Sequence, residues 1–204
     1  MTEATRSTMN RDSDQKYSTI IVGGGAAGIC AAISAARCGE SVIICEKTAQ
    51  IGKKILASGG GRCNLLNDRL SAQAYTSSAP GLVASILDRF GQAEIRAFFE
   101  ELGLRLQTDA DGRVYPLTSQ AASVLKVLER EVGRLGIGLS KPFEADRIES
   151  AGGRFRVAAA DGRALESRTV ILAGGGQSYP ALGANGSGYG LAASLGHAII
   201  QPVP

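Results

Sequence analysis

A chain of 204 residues, 44% hydrophobic and 20% charged, has the composition of a folded globular protein and the length of one large domain. Its net charge of +3, from 22 Lys and Arg against 19 Asp and Glu with no basic block, argues against nucleic acid as the main partner, because phosphate-tracking surfaces concentrate their cations. A single histidine, His197, leaves almost no material for a multi-histidine metal site or a histidine-activated nucleophile.

Residues 1–16 are polar, lack the apolar stretch of a signal peptide, and read as a disordered tail. The first predicted element is Ser18–Val22, a β-branched run that ends in glycines and reads as a buried strand. Ala26–Cys38 follows as an Ala-rich helix stopped by Gly39, and Ser41–Cys45 as a second buried strand closed by Glu46. Strand, tight turn, helix and strand in this spacing make a βαβ unit, which belongs in a parallel sheet. The uncharged stretch from Tyr17 to Ala36 is long enough to span a bilayer, but the early Gly23-Gly24-Gly25 interrupts it, so no membrane span is expected.

From Ile51 to Tyr75 the pattern is irregular and glycine-rich, as in a long functional loop. Leu82–Phe90 and Ala93–Leu102 read as helices, and Ser119 as the cap of a longer one reaching Leu135. Strand-like pieces follow at Ile137–Leu139, Asp146–Glu149, Arg154–Ala159 and Ala164–Leu172, the last two joined by an Asp161-Gly162 turn as a hairpin. A short helix over Tyr189–Leu195 and an extended 201–204 close the chain.

Glycine stands out, with 27 residues, about twice the usual share, and it forms three clusters. In the first, Gly23-x-Gly25-x-x-Gly28 sits directly after a strand and opens a helix, where a dinucleotide fingerprint must sit. Gly23 makes the tight turn, Gly25 lets a pyrophosphate approach the backbone, and Gly28 lets helix and strand pack closely. The helix end, with Ala26 and Ala27, offers N–H groups and a partial positive charge to the diphosphate. Glu46 ends the next strand 18 residues after Gly28, where a carboxylate can accept from both hydroxyls of an adenosine ribose and would repel a 2′-phosphate. This favours FAD or NAD over NADP. Lys47 beside the acid joins the candidate cofactor contacts.

The second cluster, Ser58-Gly59-Gly60-Gly61-Arg62-Cys63-Asn64, has the make-up of a concavity of backbone N–H groups suited to an anion. Just before it, Lys53 and Lys54 read equally well as solvated charges or as cofactor contacts, and Lys54 is carried as a candidate. The third, Ala173-Gly174-Gly175-Gly176 after a strand, is what a second backbone approach to the same cofactor would look like. The four cysteines, Cys30, Cys38, Cys45 and Cys63, have no C-x-x-C spacing and read as reduced, mostly core thiols of a cytoplasmic protein. A dithiol mechanism at Cys63 lacks a neighbouring cysteine. Ser178 and Tyr179 either face a substrate or close a turn before Pro180; the residues leave both open.

Five segments together resemble the bacterial FAD-dependent oxidoreductases labelled aminoacetone-oxidase-like, which include bile-acid reductases: IVGGGAAG (21–28), Glu46, GKKILASGGGRCN (52–64), GRVYPLTSQAASVL (112–125) and the stretch from Val170 to His197. The resemblance implies an α/β fold, a glutathione-reductase-type, Rossmann-like FAD domain with a parallel sheet, helices on both faces and a small β-meander, over 17–200. It places the pyrophosphate on Gly23–Gly28, the ribose on Glu46, and Ser58–Asn64 beside the flavin. It further implies transfer of a hydride or two electrons between a reduced nicotinamide, NAD(P)H, and a small organic substrate. The family's usual Ala-Thr-Gly-Gly is Ala173-Gly174-Gly175 here, so one hydroxyl is lost. Family members are about twice as long, so the chain resembles an N-terminal half, incomplete at its C-terminus, with 201–204 starting a linker to an insert domain. The alternatives are an inactive nucleotide-binding module and, with less support from the second and third glycine clusters, a flavin-free NAD dehydrogenase.

Overall fold

The computed structural model describes residues 17–202. The tail expected at 1–16, and the last two residues of the 201–204 segment, lie outside the described residues. The described residues divide into two compact units, one formed by 17–51 with 137–202 and the other by 52–136.

The first unit opens with β1 (Thr19–Val22), α1 (Ala26–Arg37) and β2 (Val42–Cys45), within a residue or two of the sequence expectation. Every residue of β1 and β2 is buried, which is why both read as unbroken β-branched runs rather than as alternating patterns. Gly39, at φ +85°, ends α1 in the left-handed conformation that a C-terminal stop requires.

The second unit carries α2 (Lys53–Ala57), β3 (Leu66–Asn67), α3 (Pro80–Arg89), α4 (Gln92–Glu101), β4 (Leu106–Thr108), β5 (Arg113–Pro116) and α5 (Ala121–Arg134). The stretch expected to be irregular from Ile51 therefore contains a short helix and a strand. β3, β5 and β4 form an antiparallel sheet in that order. α5 buries Val124, Leu128 and Val132 on one face, as the helical spacing requires. Ser119 is not its cap. Gln120 occupies that position, and Ser119 turns back at φ +52° while its hydroxyl takes a hydrogen bond from the Gln107 side chain at 2.8 Å.

The chain re-enters the first unit with β6 (Gly138–Ser140), β7 (Ala145–Ala151), β8 (Arg154–Ala159), β9 (Ala164–Ser167), β10 (Thr169–Leu172) and α6 (Ser187–Ser194). The four-stranded sheet runs β10-β1-β2-β6, all parallel, and β7-β8-β9 is a separate antiparallel meander. The single strand expected over Ala164–Leu172 breaks at Arg168. The N–H groups of Arg168 and Thr169 both donate to Ser18 O, at 3.2 and 3.0 Å, and hand the chain from the meander to the parallel sheet. Ile20, Val22, Ile43 and Cys45 on one sheet face share a core with Ile148, Val157 and Leu165 of the meander and Leu191 of α6. Ile21 points the other way, toward α1, where it lies beside Gly28.

Candidate functional site

The first unit assembles its candidate site from three strand ends. β1 leaves the sheet through Gly23, at φ +109°, and a Cβ on that residue would stand 2.5 Å from the carbonyl oxygen of Ala173. A Cβ on Gly28 would stand 1.9 Å from Gly23 O, so the helix closes on the turn only because no side chain intervenes. Gly25 differs from both. It is the N-terminal cap of α1 in extended conformation, and a Cβ there would meet nothing within 4 Å. Gly23 and Gly28 are thus explained by packing within the protein, whereas Gly25 leaves space open at a helix end. That end has no side-chain cap and no acidic residue in its first turn, and Ala26 and Ala27 are exposed beside it. Its first N–H groups have no intrahelical partner, which suits an anion.

Glu46, half-buried at the end of β2, does more than the sequence reading assigned to it. One carboxylate oxygen accepts the N–H of Gly24 at 2.7 Å, and the other accepts the N–H of Thr48 at 2.8 Å. The acid therefore fastens the middle of the glycine turn to the end of the neighbouring strand. Each oxygen has a second lone pair, so the carboxylate keeps acceptor capacity for a ligand. Gly24, which the fingerprint leaves unspecified, is buried, and a Cβ on it would lie 2.6 Å from the Ile51 side chain.

The third cluster comes in beside the first because β10 pairs with β1. Ala173 donates its N–H to Val22 O at 2.8 Å, and its own carbonyl crowds Gly23. The Gly174 and Gly188 backbones pass so closely that a Cβ on either would lie within 4 Å of the other, which seats the first turn of α6 at this strand end. Gly175, at φ +75°, turns the chain away. Lys47 is not left pointing to solvent. Its ammonium donates to Asn185 Oδ1 at 2.8 Å, a contact across 138 residues of sequence that no local pattern signals.

The second unit holds the SGGGRCN segment. Gly59, Gly60 and Gly61 have φ of +55°, +64° and +84°, and Cys63 follows at +60°. The three glycines are exposed, and Cys63 is buried. Ser58 Oγ donates to Ile55 O at 2.7 Å, and Cys63 N–H donates to Ser58 O at 3.0 Å. The Arg62 guanidinium lies 4.4 Å from the centre of the buried Tyr115 ring and donates to its hydroxyl at 3.3 Å, while exposed Asn64 has its backbone N 2.8 Å from where a Gly59 Cβ would be. The sequence reading missed Tyr115 as the support of Arg62. Its only signal was its place in the 112–125 segment.

All four cysteines are free thiols. Burial pushes Cys45 up to about 12, against a partial opposing pull from Arg163, and Cys30 up to about 11. Cys63 is also raised by burial, with the Ser58 hydrogen bond acting in the opposite direction. Cys38 alone is exposed. Raised thiols are poor nucleophiles. Among the described residues, no group of three or more His, Cys, Asp and Glu could hold a metal ion, and no helix is long and apolar enough to cross a membrane. His197 is exposed just beyond α6.

Residues 17–203 match the HI0933-like protein Rossmann domain. The chain belongs to this FAD-binding Rossmann family. The chain is similar to the 3-dehydro-bile acid delta(4,6)-reductase of Clostridium scindens, 43% identical over 186 residues that make up 90% of this chain and 45% of the relative. The ribosomal RNA dihydrouridine synthase of Haemophilus influenzae is 30% identical over 92% of this chain and 47% of its own length. The chain thus spans about half the length of the curated relatives it matches. Among solved structures, the 3-ketosteroid-delta4-(5alpha)-dehydrogenase of Rhodococcus jostii aligns at a TM-score of 0.60 and 16% identity, over 84% of this chain and 48% of that one. A flavocytochrome c3 fumarate reductase aligns at 0.60 and 18% identity, over 90% and 41%. These likenesses confirm the Rossmann-type parallel sheet.

Proposed function

We propose that the first unit binds FAD and serves the cofactor-holding part of an oxidoreductase that reduces a small organic substrate with electrons from NADH or NADPH. The observation that carries the reading is Gly25: the one fingerprint glycine whose missing side chain no protein atom explains, at an uncapped helix N-terminus. A pyrophosphate fits there, because the open backbone allows close approach and the N–H groups of Ala26, Ala27 and Gly28 face an anion. Glu46 fits the adenosine ribose as a charged acceptor already aimed by Gly24 and Thr48. Ala173, Gly174 and Gly175 supply a second backbone approach beside Gly23. When bound, flavin supplies the two-electron chemistry, and the protein's part is to hold and orient it.

The reduction of a small substrate follows the bile-acid reductase, which at 43% identity is nearer in sequence than the dihydrouridine synthase at 30%. The absence of a basic block in the sequence points the same way, since RNA binding needs concentrated Lys and Arg. Four free thiols support a reducing, cytoplasmic setting. Residues Lys54 and Ser58–Asn64 belong to the second unit, and we propose them as an anion-contacting loop on the strength of its exposed left-handed glycines.

Equilibrium titration with FAD, NAD and NADP tests the reading. FAD should bind saturably, and NADP should bind least well because its 2′-phosphate would meet the Glu46 carboxylate. Anaerobic addition of NADH or NADPH to the FAD-loaded chain should then bleach the visible flavin band. No saturable FAD binding would overturn the cofactor assignment, and colour that persists with both donors would overturn the nicotinamide assignment alone.

A further inference from the structure

The strand that ends in Glu46 continues into Lys47 and Thr48, and the loop from Gln177 to Asn185 lies against these two residues. Lys47 Nζ holds Asn185 Oδ1 at 2.8 Å. A Cβ on Gly183 would stand 3.3 Å from Lys47 Cε and 3.4 Å from Thr48 Cγ2. The loop is closed at its base, where Gly186 N–H donates to Gly176 O at 3.1 Å, and the Gln177 side chain fills the space a Gly186 side chain would need. A closed loop is therefore anchored on the residues next to the proposed ribose acid.

Tyr179 is the outlier of this loop. Its backbone is left-handed, φ +61° and ψ +65°, a conformation that bulky residues avoid and that persists where the surrounding structure imposes it. The following Pro180 restricts it further. The ring makes no aromatic pair or cation contact among those the described residues show. It is 69% exposed, and its hydroxyl makes no hydrogen bond among the described residues. The loop holds an aromatic face out to solvent on a backbone that would be easier for glycine.

We propose that Tyr179 is the stacking platform for the adenine ring of the bound dinucleotide, an assignment that rests on the FAD reading above. An adenosine whose ribose lay on Glu46 would carry its base toward the neighbouring residues Lys47 and Thr48, on which this loop is anchored. A purine presents a flat π-face that a tyrosine can cover without any hydrogen bond, which fits a ring whose hydroxyl is unused.

ADP is the probe, because it carries the adenosine and diphosphate without the flavin. Calorimetric titration of the 204-residue chain should show ADP binding that Y179A weakens roughly tenfold, with Y179F close to wild type. Y179G removes the ring and relaxes the left-handed backbone, so it should remain folded by circular dichroism and bind ADP as weakly as Y179A. FMN, which lacks the adenosine, should show no difference among the four proteins. E46A separates the two layers of the argument. If E46A weakens ADP and both Y179A and Y179G bind it like wild type, the stacking role is wrong and the cofactor reading stands. If wild type shows no ADP binding, both fail together.

Discussion

At the scale of the residue, the three fingerprint glycines serve different ends, and substitution should separate them. Gly28→Ala drives a methyl group to 1.9 Å from a backbone oxygen that cannot move without distorting β1, so it should destabilise the fold by about 3 kcal/mol or more. The Cβ of Gly25→Val meets no protein atom within 4 Å. The variant should lose only about 1 kcal/mol through poorer capping, while FAD affinity falls more than tenfold. Denaturant melts beside FAD titrations check both, and a Gly25→Val chain that binds FAD normally would remove the pyrophosphate from this turn. The glycines were legible in the sequence because only a backbone requirement explains three of them at that spacing. The double duty of Glu46 was not legible, since the Gly24 contact exists only once β2 lies beside β1. That contact changes what its replacement should do. Glu46→Gln keeps one carbonyl acceptor but turns an NH2 toward a backbone N–H, so the free protein should lose about 1 kcal/mol of stability. FAD should bind about 1.5–3 kcal/mol more weakly through loss of the charged acceptor, an effect visible in the same titrations.

At the scale of the element, β1, α1 and β2 were readable to within two residues because each carries its own signal: β-branched runs, an alanine-rich segment and stopping glycines. β4 and β5 were missed because strands of three and four residues are too short to show a period. The break at Arg168 was hidden for a related reason: a run of strand formers looks the same whether one sheet or two receives it. What ties the short strands of the second unit is polar rather than periodic. Asp68, just after β3, accepts from Arg96 of α4 at 2.6 Å and from Thr108 of β4 at 2.9 Å. The bond to the Arg96 guanidinium, then the Thr108 hydroxyl, hold its carboxyl below the ordinary carboxylate value of 3.8. A carboxylate with a lowered folded value stabilises the fold at neutral pH, and that contribution disappears as pH falls through its titration range. Asp68→Asn should therefore melt below wild type at pH 7, with the gap closing in acid below about pH 4. A gap constant across that range in thermal melts would show that the charge on Asp68 contributes nothing.

At the scale of the whole molecule, burial is distributed unevenly, and that sets where the chain should open. β1 and β2 bury every residue, and Ile20, Ile21 and Ile44 have no exposed surface. α3 buries none, and its Leu82 and Ile86, with Phe90 just past its end, are spaced four apart and are 62%, 53% and 66% exposed. Local opening is governed by how much apolar contact an element must break, so helical hydrogen bonds with no packed face give little protection. Amide hydrogen exchange on the 204-residue chain should therefore be slowest at Ile20, Ile21, Ile43 and Ile44, where opening requires breaking the parallel sheet. It should be faster across Leu82–Arg89 than in α5, which packs Val124, Leu128 and Val132. Binding of FAD should slow exchange at Gly25–Gly28 beyond its effect on α3, because the ligand would occupy the uncapped end of α1. Protection of α3 equal to that of β1 in the free chain would mean that something covers its apolar stripe, with a second copy of the chain the first partner to test by dilution.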